Sequence, residues 1–204
     1  MKKFISLVLA LGLTLSLGTV RAVEFEDFTD KDAIQYREAV SVLNRLGIVT
    51  GYADQTFRPH DGLSRGAAAK IIVSLLLGSD AAKNLPSAES PYSDVPANHT
   101  FAAVIGRCKA SGIISGYTDG SFRPGGSLTG YAFAKMLLGA LGYDSAREGF
   151  TGEGWTDNVV RIGETAGLFQ DVDFEGTPPI GRETACQLAL NALKASTVDS
   201  QTAH

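Results

Sequence analysis

Apolar positions fall into two patterns along the chain. Phe4 to Val20 is an almost unbroken apolar run, whereas beyond residue 30 apolar residues return at helical intervals between glycine-rich segments. Tyr36, Val40, Leu43 and Leu46 follow a period near 3.6, which predicts a helix with one apolar stripe. Phe101, Ile105 and Cys108 repeat that stripe 65 positions further on. Gly47 and Gly112 follow these helices, where a C-terminal glycine belongs. Ser64 and Thr129 are good N-caps for a second helix. That helix carries Ile71, Ile72, Leu75 and Leu76 in one segment, and Met136, Leu137, Ala140 and Leu141 in the next. Leu188, Ala189, Ala192 and Leu193 form a third such face. The fold class expected is all-α.

The two best segments are copies. Gly47-Ile48-Val49-Thr50-Gly51-Tyr52-Ala53-Asp54-Gln55-Thr56-Phe57-Arg58-Pro59 is echoed, at an offset of 65, by Gly112-Ile113-Ile114-Ser115-Gly116-Tyr117-Thr118-Asp119-Gly120-Ser121-Phe122-Arg123-Pro124. The echo continues through Leu63-Ser64 and Leu128-Thr129 to Ala69-Lys70 and Ala134-Lys135. A third, decayed copy has Gly167-Leu168-Phe169 and then Ile180-Gly181-Arg182-Glu183, with a middle loop three residues shorter. Each copy reads as helix, loop, helix, and the Tyr-x-Asp-x-x-Phe-Arg-Pro segment as a turn fixed by its proline. One hairpin cannot bury its own apolar face, so the copies are expected to share a core. The boundaries expected are 23–83, 84–145 and 146–196, followed by a polar tail over 197–204.

Charge and targeting narrow the function classes. Lys2 and Lys3 precede the apolar run, and Val20-Arg21-Ala22 ends it as a small-residue cleavage site. Residues 1–22 therefore read as a signal peptide of an exported protein, with no membrane span expected once it is removed. The full chain has 18 basic and 22 acidic residues, a net of -4; without Lys2, Lys3 and Arg21 the net is -7. An acidic surplus argues against a nucleic-acid partner. Two Cys and three His, widely scattered, form no zinc-ligand pattern, and no cofactor is expected.

Arg65 and Arg182 are the candidate chemistry. Both follow directly on the expected start of a second helix, where a cation faces the positive end of the helix dipole. Two readings stay open from the residues alone. An anion can be held there by the guanidinium and the helix N-terminus together. Alternatively, each arginine closes an internal salt bridge to Asp30, Asp94 or another acid.

The chain resembles three tandem S-layer homology modules over about residues 24 to 196, most closely those of exported proteins from Gram-positive, clostridia-like bacteria. The matching marks are Phe28-Thr29-Asp30 and Tyr92-Ser93-Asp94-Val95 as openings, and both Gly-Tyr-x-Asp-x-x-Phe-Arg-Pro blocks. The family's Thr-Arg-Ala-Glu signature is altered here to Ser64-Arg65-Gly66-Ala67, Thr129-Gly130-Tyr131-Ala132 and Gly181-Arg182-Glu183-Thr184. The resemblance implies a pseudo-threefold prism, with the three second helices at its centre and grooves between modules. It also implies non-covalent attachment to a cell-wall polysaccharide bearing ketal-linked pyruvate, or to peptidoglycan, with S-layer proteins as further partners. The signature arginine is the residue that meets the anion, so Gly130 implies a weakened groove. The implied glycan-binding set is Arg65 and Arg182, with Ser64, Glu183, Asp30 and Asp94 from the same motifs.

Other candidates read as structure. Asp171-Val172-Asp173-Phe174-Glu175-Gly176 opens like a calcium loop, but its twelfth position is Arg182, which cannot ligate. Cys108 and Cys186 fall on apolar stripes and read as buried thiols rather than a disulfide. His60 and His99 read as surface loop residues. Tyr36, Phe101 and Trp155 read as core, with sugar stacking as the alternative for Trp155. No Ser/His/Asp or Cys/His arrangement stands out, and the chain is read as non-catalytic.

Overall fold

In the computed structural model, which describes residues 23–86 and 89–195, seven α-helices build the molecule. They are α1 (Arg37–Arg45), α2 (Arg65–Leu77), α3 (Ser79–Lys83), α4 (Ala102–Ala110), α5 (Gly130–Ala140), α6 (Trp155–Thr165) and α7 (Arg182–Lys194). Among the described residues there is no strand, only four isolated bridges. The expected signal peptide and polar tail lie outside the described residues.

The longest second helices, α2, α5 and α7, touch one another and form the centre. Their facing positions are small or apolar and fully buried: Ala68, Ala69 and Ile72; Phe133, Ala134 and Leu137; Ala185, Cys186 and Ala189. Small side chains let three axes approach closely, which is why those faces are rich in alanine. Ser64 and Thr129 cap α2 and α5, accepting from the Ala67 and Ala132 N–H groups at 3.3 Å. Gly47 and Gly112 turn the chain at φ +69°, as expected of C-terminal glycines.

The helices do not pair as hairpins within each copy. The outer helix α4 packs on α2, α6 packs on α5, and α1 closes the circle on α7. Each first helix thus covers the second helix of the preceding copy. At the centre of the circle, three backbone hydrogen bonds form a ring. Leu63 N–H donates to Ile180 O at 2.9 Å, Ile180 N–H to Leu128 O at 2.9 Å, and Leu128 N–H to Leu63 O at 3.2 Å. The ring marks the pseudo-threefold axis and ties the beginning of the chain to its end.

Two expectations change at the periphery. Leu46 was placed on the buried stripe but is 49% exposed, because Gly47 turns the chain and Ile48 and Val49 fill the core instead. Each copy was expected to be helix, loop, helix, but the first carries an additional short helix, α3, directly after α2. Cys108 and Cys186 are free and buried, and burial pushes each thiol up to about 12, so both stay protonated.

Candidate functional site

Arg65 and Arg182 reach out of their own copies into the loops of the next. Arg65 Nε donates to Phe122 O at 2.8 Å and its Nη2 to Ser115 O at 3.2 Å. Arg182 makes the same pair of contacts, Nε to Phe57 O at 2.9 Å and Nη2 to Thr50 O at 3.0 Å. The guanidinium of Arg65 lies over Phe122 and Tyr117, at 4.4 and 5.1 Å from the ring centres. That of Arg182 lies over Phe57 and Tyr52, at 4.7 and 4.9 Å. Carbonyl oxygens and ring faces stabilise each cation without neutralising it. Neither arginine pairs with a carboxylate among the described residues, and each keeps Nη1 free of protein partners there.

The salt bridge to Asp30 or Asp94 is therefore not what these side chains make. Asp30 instead accepts from the Phe57 and Arg58 N–H groups at 2.8 and 2.7 Å. Asp94 does the same for Phe122 and Arg123, both at 2.7 Å. Arg58 and Arg123 sit at φ +56° and +59°, an uncommon conformation for a side-chain-bearing residue, and the two aspartates hold them in it. Desolvation opposes ionisation of Asp94, but those two N–H groups outweigh it and its carboxyl lies below the usual range. Arg58 and Arg123 fold back onto Asp54 and Asp119, at 2.8 and 3.0 Å, and lie over the rings of Tyr52 and Tyr117. Each tyrosine ring thus meets two guanidiniums.

The helix N-termini are occupied by protein. Arg65 and Gly66 N–H donate to Gly126 O and Pro124 O, and Arg182 and Glu183 N–H donate to Asp61 O and Pro59 O. With Ser64 taking a third donor on α2, no cluster of free N–H groups remains for an anion at these turns. At these turns it is the guanidinium, not the helix N-terminus, that keeps hydrogen-bonding capacity to spare.

Glu183 is buried, at 4% exposure. Its Oε2 accepts from Gln35 and Tyr36 N–H at 2.6 and 3.0 Å, which supplies the N-terminus of α1 with the cap its own sequence lacks. Its Oε1 faces His60 Nδ1 at 3.2 Å. His60, read as a surface loop residue and largely exposed, thus stands at the seam between first and last copies. His99 accepts the Phe101 N–H through Nδ1 at 3.1 Å.

The third junction departs from the other two. A Cβ on Gly130 would stand 2.7 Å from Glu175 O and 3.0 Å from Phe174. The shortened loop has collapsed onto α5, with Phe174 stacked on Phe169 at 4.2 Å and edge-on to Tyr131 at 5.7 Å. The space a signature arginine would need is filled. A cleft of about 380 Å³ remains beside it, lined by Tyr36, Gln187 and charged residues of both signs, Arg37, Glu38, Asp171 and Lys194.

At the Arg65 junction a groove of about 170 Å³ runs between copies. Arg65, Ser115, Lys135, Met136 and Trp155 line it. Lys135 is half-buried, donates from Nζ to Phe150 O at 2.5 Å, and lies 5.5 Å from the Trp155 ring centre. Lys135 was visible in sequence only as a repeated position. Its place in the groove depends on the way copies pair, which no local pattern reveals. No helix among the described residues is long and apolar enough to cross a membrane.

Residues 25–69 and 91–134 match the S-layer homology domain. The chain is 40% identical over 88 residues to Cell surface glycoprotein 1 of Acetivibrio thermocellus, covering 43% of this chain and 4% of that protein. It is 26% identical over 175 residues to the Surface layer protein of Brevibacillus choshinensis, covering 85% of this chain and 15% of that one. It is also 24% identical over 182 residues to an Endoglucanase of Bacillus sp. (strain KSM-635), covering 89% of this chain and 19% of the enzyme. The chain therefore spans less than a fifth of each of these relatives.

Proposed function

We propose that this chain is a non-catalytic anchoring module of the cell envelope that holds an anionic cell-wall polysaccharide in grooves between its copies. Residues 146–196 act in it as a third, degenerate S-layer homology module, and export through the leader at 1–22 brings it to the cell surface. The observation that carries the reading is the matched placement of Arg65 and Arg182. Each is clamped by two backbone carbonyls, stacked on two rings, and left without a carboxylate. A half-buried cation arranged this way is prepared for an anion from outside, such as a pyruvate ketal on a wall polymer. Asp30, Asp94, Ser64 and Glu183 serve the site by holding the loops and helix starts that aim the arginines. The third junction, with Gly130 plugged, contributes no such contact. The match to an endoglucanase over less than a fifth of that enzyme fits the same module serving as an anchor on larger exported proteins.

Sedimentation of the purified protein with walls, native and stripped of secondary polymer, tests the reading. Arg65→Ala and Arg182→Ala each remove a charge-assisted contact of about 1.5–3 kcal/mol, so each weakens wall binding about tenfold or more. The double variant remains folded and stays in the supernatant. Full wall binding by the folded double variant overturns the assignment and favours a role in envelope assembly through protein contacts.

A further inference from the structure

A cavity of about 220 Å³ lies between α2, α3 and α4, and neither signature arginine lines it. Its polar groups come from Lys70 and Ser74 of α2 and from Ser79 and Lys83 of α3. Its apolar floor is made by Phe101, Val104 and Ala82. Lys70 and Ser74 stand one turn apart, so their side chains share a face of α2. Ser74 is only 3% exposed, yet its hydroxyl forms no hydrogen bond with the described residues. No fully enclosed side-chain oxygen among those residues lacks a partner, so this hydroxyl opens onto the cavity. A hydroxyl so placed carries a desolvation cost that a ligand removes. Lys70 is partly buried and has neither a hydrogen bond nor a carboxylate among the described residues. Lys83 has only the exposed Asp80, at 3.6 Å. No carboxylate is found among the residues that line the cavity.

The second copy shows the same place without these groups. At the 65-residue offset Ser74, Ser79 and Lys83 become Gly139, Asp144 and Glu148, which line the corresponding cleft. Donors are lost there and acids take their place. The cavity is thus a feature of the first copy, not of the repeated motif. Its volume is below the roughly 300–1,000 Å³ of pockets for drug-sized ligands, so its occupant is small. We propose that this cavity binds a small amphipathic carboxylate, a monoacid with an apolar ring or short chain. The carboxylate takes the Lys70 ammonium and the Ser74 hydroxyl, and Lys83 adds a second positive charge. The apolar body lies against Phe101, Val104 and Ala82. A neutral ligand would leave the two ammoniums unanswered, and a bare inorganic anion would leave the apolar floor wet.

Residues 23–204 are titrated with benzoate, with benzyl alcohol and with acetate, and followed by amide NMR. Benzoate is expected to shift residues 70–83 and 100–104 in a saturable way, with a Kd of about 1 mM or tighter. Benzyl alcohol, which lacks the charge, and acetate, which lacks the apolar body, bind at least about fivefold more weakly. Ser74→Ala weakens benzoate about tenfold at an unchanged or raised melting temperature, because its hydroxyl holds nothing in the protein. The same variant sediments with walls like the wild type, which separates this site from the anchoring grooves. Lys70→Met weakens benzoate at least as much, and Lys70→Arg retains most of the binding. Absence of a saturable shift, equal binding of benzyl alcohol, or wild-type binding by folded Lys70→Met overturns the proposal. Displacement of benzoate by solubilised wall polysaccharide overturns it too, since the cavity would then belong to the wall site. Should Lys70→Met melt early, Ser74→Ala decides: full benzoate binding by that variant counts against the site.

Discussion

The aspartates of the repeated loops fasten those loops rather than the arginines on the central helices. Asp54 accepts from the Thr56 hydroxyl at 2.6 Å, from its N–H at 3.1 Å and from Arg58, and Asp119 repeats the set with Ser121 and Arg123. These hydrogen bonds lower each carboxyl from 3.8 to about 2. Between those two values the folded chain binds fewer protons than the unfolded chain, so stability rises with pH there. The contribution is complete above about pH 4 and disappears as pH falls through about 2. Both groups are exposed, so solvent screens the effect. Thermal midpoints measured across pH 2 to 5 are expected to fall on the acid side, and an Asp54→Asn/Asp119→Asn variant to show a flatter profile. A variant with the full acid dependence would mean that another carboxylate, such as Asp94, sets it.

The helices and the loops that follow them differ in how much of them the sequence discloses. Periodicity, N-caps and C-terminal glycines point to α1, α2, α4, α5 and α7, because those signals are local. The 65-residue offset makes the two Phe-Arg-Pro loops visible as a pair, but reading them as plain turns misses half of their work. Each loop is also the dock for an arginine from another copy, and the partner lies 57 residues away for Arg65 and 125 for Arg182. Gly130 shows the same limit from the other side. In sequence it is a missing arginine; in the fold it is a close approach, with the Glu175 carbonyl and Phe174 occupying the space where a side chain would begin. Gly130→Ala is therefore expected to destabilise by about 1–3 kcal/mol through overpacking, despite alanine's better helix propensity. Chemical denaturation of the purified variant checks this. A stabilised Gly130→Ala protein would mean that the shortened loop yields, and that the third junction is open to redesign.

At the scale of the molecule, closure distinguishes this arrangement from an open solenoid. In an open stack the terminal repeats each leave one face uncovered, whereas here α1 lies on α7 and the Leu63–Ile180–Leu128 ring joins all three copies. The docking of Arg182 exists only because of that closure, since the arginine comes from the last helix and its dock from the first loop. The Glu183 carboxylate adds a second tie across the seam, capping α1 from α7. Sequence arithmetic reaches the need for a shared core, but not the rule by which each outer helix serves its predecessor. That rule makes the cost of removing the last copy specific. A fragment of residues 23–142 loses the partner of α1, the partner of α5, two of the three ring hydrogen bonds and the cap on α1. The buried positions Ala39, Val40 and Leu43 of α1, and Phe133 and Leu137 of α5, come to the surface or lose part of their cover. At about 1.5–3 kcal/mol for each large apolar side chain exposed, the loss exceeds what a chain of this size holds in reserve. The fragment is expected to aggregate or to unfold over a broad range of temperature, and to bind no ligand at Arg182's dock. Light scattering and calorimetry on the fragment beside residues 23–195 make the comparison. A monomeric fragment with a sharp transition at the parent temperature would show that two copies suffice and that closure serves the grooves alone.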